Sequence, residues 1–333
     1  MTESVATAPV PRDRMTPGTG DGARACDVVC VASWNADLVV RVPRPIARGE
    51  TLAATGFSVS PGGKGSNAAV AAARQGARVA LIARIGDDDF GRMGLALWRD
   101  EGIDAAAVEV AAGEHSGVAQ IQVFDDGDNA IAVFAGATRG LSRANAQAAK
   151  GALEGCRVVM ASLEVPLDCT LEAFRIARAA GALTVLNPAP ATPLADAALA
   201  LVDVLTPNAG ELAALAGLPD GATIADQAQA LLSRGVGAVI ATLGEDGCRI
   251  HPGAGLPPFT LPAHRSVVAD TIGAGDTFTG ALAAALARGL SLAEAACLAN
   301  AAAALSVRGH GAIGGMPSLA QAQALLDGAS SSG

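Results

Sequence analysis

The segment Asp270-Thr271-Ile272-Gly273-Ala274-Gly275-Asp276-Thr277-Phe278 sets a carboxylate behind a run of small residues at the start of a helix-forming stretch. Small residues there leave the first backbone N–H groups bare, and such a helix start attracts developing negative charge. Asp276 at that opening can accept a proton from a hydroxyl while the amides of Gly273, Ala274 and Gly275 hold a transferring phosphoryl group in line. The same residues also allow a plainer role, a carboxylate that caps a helix behind glycines that turn the chain. The helix field is expected to keep Asp276 ionised, so its value as a base would rest on position and desolvation, not on a strongly raised pKa.

A second cluster, Pro61-Gly62-Gly63-Lys64-Gly65-Ser66-Asn67, precedes an alanine-rich helical stretch and offers exposed backbone, an ammonium and a side-chain amide. That set suits a polyhydroxyl ligand, although a simple turn before a helix uses the same residues. It is not a phosphate loop of the Walker type, because no glycine precedes Gly63-Lys64 at the required spacing and Gly65 stands where Ser or Thr should follow. Gly309-His310-Gly311-Ala312-Ile313-Gly314 matches a dinucleotide-binding glycine pattern but follows a helix instead of a strand, so that reading fails. The cysteines Cys26, Cys30, Cys156, Cys169, Cys248 and Cys297 include no C-x-x-C pair and are expected to be plain buried thiols. The four histidines are scattered, so spacing supports neither a zinc site nor a Ser-His-Asp triad.

These residues need elements to position them. Short β-rich runs alternate with helical patterns, as in Val28 to Ala32, Ser66 to Gln75, Val79 to Ile85 and Phe90 to Glu101, and the rhythm resumes from Val158 to Thr242. Such alternation predicts an α/β fold with a mostly parallel central sheet covered by helices on both faces. Two segments without helices, about 37–60 and 117–134, read as a small antiparallel β lid, with a hairpin signal at Asp125 to Asn129. One lid face would cover the cleft and the other needs a cover of its own, which points to homodimerisation through the lid; the alternative is that the two segments are ordinary surface hairpins. Two helices are expected from Gly275 to Arg288 and Leu292 to Ser306, with Ser291 as N-cap. Residues 1–25 read as a disordered polar tail, 26–326 as the folded domain and 327–333 as another tail.

The chain has 333 residues, of which 51% are hydrophobic, so it can bury a large core. A net charge of -9 argues against nucleic acid or an anionic membrane as partner; any phosphate site must be local. No apolar run approaches the about 20 residues a membrane span needs, and no leader is visible, so the cytoplasm is the expected compartment.

Taken together, these motifs resemble the ribokinase branch of the PfkB carbohydrate kinases, from about Asp27 to Pro317. The family's N-x-D stands here as Asn35-Ala36-Asp37, its GGKGxN as Gly62 to Asn67 and its DTxGAGD as Asp270 to Asp276. Ser162-Leu163-Glu164, Asn187 to Ala191, Thr206 to Glu211 and Thr242 to Gly247 are similar to family segments as well. The resemblance implies the three-layer fold with its lid, and ATP-dependent phosphorylation of D-ribose to ribose 5-phosphate. A nucleoside kinase or another sugar kinase of the family is the alternative, and a non-catalytic sugar or nucleotide sensor a remote one.

It further implies that Asn35, Asp37, Gly62, Gly63, Lys64, Asn67 and Glu164 bind the sugar, with Asp276 as base. Asn187, Thr242, Leu243, Gly244, Glu245, Asp246, Gly247, Gly275 and Asn300 would bind ATP. Asn208 and Glu211 would organise Mg2+, largely through water. Asp270, Ile272, Ser306, Gly309, Gly311 and Gly315 would hold K+ as monovalent activator. Two departures stand out: Gly309 and Gly315 replace residues that are often larger in the family, and Trp34 replaces a smaller aliphatic residue beside Asn35. The indole either reshapes the sugar pocket or fills core.

Overall fold

A computed structural model describes residues 26–330, so the tail expected over residues 1–25 lies outside them. The first strand, β1 (Val28–Val31), is Val-Val-Cys-Val, buried throughout. Val28 and Cys30 point into one core layer, Val29 and Val31 into the other, as the two-residue period of a doubly covered strand requires. The lid strands β2 (Asn35–Arg41) and β3 (Gly56–Gly62) follow, then β4 (Val79–Gly86), β5 (Asp104–Ala111), the lid strands β6 (Gly117–Val123) and β7 (Asn129–Phe134), and β8 (Val158–Ser162). The remaining strands are β9 (Leu183–Asn187), β10 (Val204–Leu205), β11 (Ala238–Thr242), β12 (Cys248–His251) and β13 (Phe259–Leu261).

The large sheet has the order β13-β12-β11-β10-β9-β8-β1-β4-β5. It is parallel except at one edge, where β11, β12 and β13 run antiparallel. The helices α1 (Lys64–Arg74), α2 (Asp89–Asp100), α9 (Ala274–Ala287), α10 (Leu292–Ser306) and α11 (Leu319–Ser330) cover one face. The other face carries α3 (Arg143–Ala148), α4 (Lys150–Gly155), α5 (Leu167–Ala179), α6 (Asp196–Leu199), α7 (Ala209–Ala216) and α8 (Ile224–Ser233). Most alanines of α9 and α10 are buried, so these helices approach the sheet, and each other, more closely than bulky side chains would allow.

The separate small sheet has the order β3-β2-β6-β7. It is built of two antiparallel hairpins, and β2 pairs with β6 in parallel to join them. The turn signal at Asp125 to Asn129 closes the second hairpin, with Gly127 at a positive φ of 88°. Ser291 caps α10 as expected, its hydroxyl accepting from Glu294 N. The folded part does not stop at Leu326: α11 runs to Ser330, because Asp-Gly-Ala-Ser contains no proline and one glycine costs too little to end a docked helix. Five cysteines are buried, but Cys297 is only half-buried, since it lies on the margin of α10.

Candidate active site

The parallel strands end at one rim, and the loops that leave it carry most of the predicted site residues, the usual place for a ligand crevice in an α/β sheet. Ser33 to Asn35 follow β1, Glu164 follows β8, Asn187 ends β9, Thr206 to Asn208 follow β10, and Thr242 ends β11. The starts of α1 and α9 face the same rim.

Gly273 is the N-cap of α9, in the left-handed region with φ 78°, and a Cβ there would collide with the carbonyl of Ala312. Asp276 is therefore the third helical residue, and its carboxylate caps nothing. The capping alternative is excluded: Asp276 Oδ2 instead accepts from Asn67 Nδ2 at 2.9 Å, which ties the two glycine-rich motifs together across the cleft. Gly275 and Asp276 present helix-start N–H groups that no carbonyl within the helix can satisfy. The carboxylate is 7% exposed, and that burial pushes its pKa up to about 6. The Lys64 ammonium and the Asn67 amide pull it down, while Glu164 and Glu211 raise it further. The expectation that the helix field would keep this pKa from rising strongly is thus corrected; loss of solvent outweighs the helix field.

On one side of Asp276 lies a cluster of fixed polar side chains. Asn35 and Asp37 begin β2, where Asn35 pairs with Gly62 and with Gly117. Gly117 must be glycine here, because a Cβ would strike the Trp34 carbonyl as well as the Asn35 amide oxygen, and a Cβ on Gly62 would push the Asp37 carboxylate aside. Asp37 is also pushed up to about 6, first by burial, then by the charges of Glu164 and Asp276, with Lys64 opposing. Glu164 Oε2 accepts from the backbone N of Lys64 at 2.8 Å and from Ser33 Oγ at 2.7 Å, and Gly65 N donates to Ser33 Oγ at 3.1 Å. Glu164 and Ser33 therefore hold the Gly62–Asn67 turn in place; Ser33 has no motif to mark it in the sequence.

Beneath this cluster a cavity of about 10 Å3 is lined by Cys30, Lys64, Ser162, Asn187, Asp276 and Thr279 among others. Asn187 Nδ2 donates to Thr206 O at 3.3 Å and to Thr279 Oγ1 at 3.4 Å, and its buried Oδ1 has no partner. Asn187 thus sits under Asp276 and not in the larger space beyond it.

On the other side is a cleft of about 790 Å3. Of the residues that the family resemblance assigns to ATP, Thr242, Gly244, Glu245, Gly247, Gly275 and Asn300 line it, whereas Leu243 and Asp246 do not. Its walls also include Ala263 to Ser266, Val268, Thr271, Phe278, Ala303, Ala304 and Val307. Sequence reasoning missed the loop and α10 residues among these because an irregular loop and the small-residue face of α10 carry no motif; Thr271 and Phe278 lie in the glycine-rich segment itself. Asn300 Nδ2 donates to Pro262 O at 2.8 Å and anchors that loop.

Asn208 and Glu211 form a reciprocal capping box on α7: Glu211 N donates to Asn208 Oδ1 at 2.8 Å and Asn208 N to Glu211 Oε2 at 2.9 Å. Among the described residues no group of three His, Cys, Asp or Glu converges as a metal cage. A cation that keeps most of its water and leans on phosphates needs only one or two carboxylates, so Glu211 fits that role. Asp270 accepts from Ile272 N and Gly311 N, both at 2.9 Å, which draws the 309–315 loop against the start of α9. In that loop Gly309 and Gly315 pack on each other, and a Cβ on Gly315 would also hit the Ser306 carbonyl. The two glycines that depart from the family pattern are needed for this tight closure.

The pfkB family carbohydrate kinase model matches residues 26–319. The chain is 36% identical to a ribokinase of Haemophilus influenzae, with 86% of this chain and 94% of that one covered. It shares 36% identity with a bifunctional ribokinase/ribose-5-phosphate isomerase A of Fructilactobacillus sanfranciscensis, covering 87% of this chain and spanning 54% of that longer protein. The structure of an Arabidopsis thaliana ribokinase complexed with ribose and ATP superposes with a TM-score of 0.86 at 30% identity, covering 91% of this chain and 99% of that one. With the buried carboxylate, the glycine-started helices and the lid in their expected places, this chain belongs to the PfkB family of carbohydrate kinases.

Proposed function

We propose that this chain transfers the γ-phosphoryl group of ATP to the primary hydroxyl of D-ribose, giving D-ribose 5-phosphate and ADP. The observation that carries the reading is the position of Asp276, buried at a helix start between a cluster of amides and carboxylates and a nucleotide-sized cleft. The ribokinases and the ribose complex to which the chain is similar support the choice of sugar.

In this reading Asn35, Asp37, Lys64 and Asn67 bind the sugar hydroxyls, and Glu164 holds the turn that carries Lys64. The Asp276 carboxylate takes the hydroxyl proton as the sugar oxygen bonds to phosphorus and the bond from phosphorus to the ADP oxygen breaks. The amides at the start of α9 stabilise the charge on the transferring group. Asn208 and Glu211 would hold Mg2+ through water, and bound Mg2+ supplies neutralisation of phosphate charge. Carbonyls and side chains of Asp270, Ile272, Ser306, Gly309, Gly311 and Gly315 would hold K+ behind the same helix start. The compartment proposed is the cytoplasm; no helix among the described residues is long and apolar enough to cross a membrane.

The lid supports a homodimer. Register places Val39, Ile121, Ile131 and Val133 on the same face as Asp37, and Leu38, Val40, Phe57, Val59, Val118 and Phe134 on the other. Phe57, Ile131, Val133 and Phe134 are each more than half exposed, an apolar surface on both faces that a second lid would cover. Light scattering should give twice the chain mass, and Phe57→Asp should halve it.

The test of the reaction is ADP release with Mg-ATP and D-ribose, 2-deoxyribose, fructose, adenosine, cytidine or pseudouridine, each with and without potassium. Turnover with ribose, lost in Asp276→Asn, is expected. Preference for a nucleoside would replace the sugar in this reading, and binding without turnover on any acceptor would make the protein a sensor.

A further inference from the structure

The chain contains two tryptophans and no tyrosine, and both indoles are fully buried beside the sugar cluster. Trp34 immediately precedes Asn35, and its Nε1 donates to the carbonyl of Phe90 in the first turn of α2 at 3.0 Å. Trp98, in the last turn of α2, donates from Nε1 to Ser66 Oγ at 2.8 Å, inside the Gly62–Asn67 turn. The two rings meet edge to face, with centroids 5.4 Å apart and planes at 74°. A Cβ on Gly94 would come within 2.9 Å of the Trp34 ring, so α2 lies directly on the indole. The N-cap of α2 reaches the lid: Asp88 accepts from Ser116 N at 2.9 Å and from Ser116 Oγ at 2.7 Å, one residue before β6.

We propose that α2, acting through the Trp34–Trp98 pair, is the positioning element that holds the Asn35–Asp37 strand and the Gly62–Asn67 turn in register for the acceptor. Trp34 and Trp98 are positioning residues; neither needs to touch the acceptor. The indole beside Asn35 fills core, and in doing so it sets the pocket. Core packing alone would be served by apolar rings, but each indole also spends its one N–H across the seam between α2 and the sugar cluster, Trp34 from beside Asn35 to the Phe90 carbonyl of α2 and Trp98 from α2 to Ser66, and a buried N–H requires a fixed partner. A Trp98→Phe change keeps most of the ring packing and removes one hydrogen bond to the turn.

The role in acceptor affinity rests on the phosphotransfer reading above, so the experiment has one arm that depends on it and one that does not. In the first, Trp98→Phe and Ser66→Ala are each expected to raise KM for the acceptor about fivefold, the loss of one neutral hydrogen bond, with kcat and KM for ATP within twofold of wild type. The double variant should cost no more than either alone, since both remove the same bond. In the second, hydrogen–deuterium exchange on the ligand-free chain should rise in both variants over residues 62–67 and stay unchanged over α9 and α10. Unchanged exchange over 62–67 overturns the proposal whatever the acceptor proves to be. A fall in melting temperature with acceptor KM untouched overturns it too, leaving the pair as packing only. Absence of turnover in wild type with every acceptor would sink the kinase reading and leave the exchange arm standing.

Discussion

Two sides of the same cleft are made by different means. On the side proposed for the sugar, side chains from distant parts of the chain are fixed on one another: Asn67 on Asp276, Glu164 on Ser33 and the Lys64 amide, Trp98 on Ser66. On the side proposed for the nucleotide, a cleft of about 790 Å3 is walled by glycines, alanines, Val268, Phe278 and a loop anchored by Asn300. The difference suits the ligand proposed for each side. A pentose offers hydroxyls in a fixed stereochemistry, which only oriented amides and carboxylates can tell apart. A nucleotide offers a flat base and a charged tail, for which an apolar slot and bare helix N–H groups suffice. Substitutions on the sugar side should therefore cost far more than substitutions on the nucleotide side.

The sharpest test is at the boundary. Asp276→Asn keeps the volume and can still bond Asn67, but it cannot take a proton. It is expected to lower kcat about 10²–10⁴-fold, the usual contribution of a positioned base, with ATP affinity measured by calorimetry little changed. Next in size is Asp37→Asn, which removes a charge-assisted acceptor from the sugar cluster. Hydrogen bonds to charged groups are worth about 1.5–3 kcal/mol, so KM for the acceptor should rise roughly 10–100-fold while KM for ATP holds.

Protonation separates the two sides without mutation. Asp276 and Asp37 are both raised to about 6 because burial disfavours their charge, so kcat/KM for the acceptor should fall below that pH, about tenfold per unit for each carboxylate required in its charged form and so toward about a hundredfold per unit once both are protonating. Stability moves the other way. For a carboxylate raised from 3.8 to about 6 on folding, the stabilising contribution is complete below 3.8 and is lost as pH rises through 6. Asp276→Asn should consequently melt above wild type at pH 7 to 8, and the gap should close as pH falls through 6 toward 4. A gap that is constant with pH would mean that the carboxylate is not strained by its burial.

How much of this could be read from sequence differs along the same divide. The catalytic side was legible because its chemistry needs small residues at set intervals, so Gly62 to Asn67 and Asp270 to Asp276 stand out from any alanine-rich background. The central strands were legible because a strand buried on both faces is apolar without interruption, as in Val28 to Val31. The β5 strand, half exposed and alanine-rich, was not, nor was the β12–β13 edge, whose polar and aromatic residues mark no clear period. Glu164 and Ser33 show the limit at the site itself. Their bond spans 131 residues of chain, and nothing local in either segment announces it. The Asn208–Glu211 pair was read only as the cation site that the family resemblance implies, and the capping box it forms on α7 was not foreseen.

The smallest effect expected lies deep in the nucleotide side. Asn300 spends its amide on the Pro262 carbonyl and so fixes one end of the loop that runs from Ala263 to Val268 along the cleft. Asn300→Ala removes one neutral hydrogen bond, worth about 1 kcal/mol, and leaves the backbone of α10 intact. KM for ATP should rise about fivefold, with KM for the acceptor and kcat within twofold, in initial-rate measurements that vary each substrate in turn. A larger loss, or one that spread to the acceptor, would show that the loop is not a separate wall but part of the network that fixes Asp276. The contrast between a hydrogen-bonded half and a merely shaped half would then fail at its weakest point.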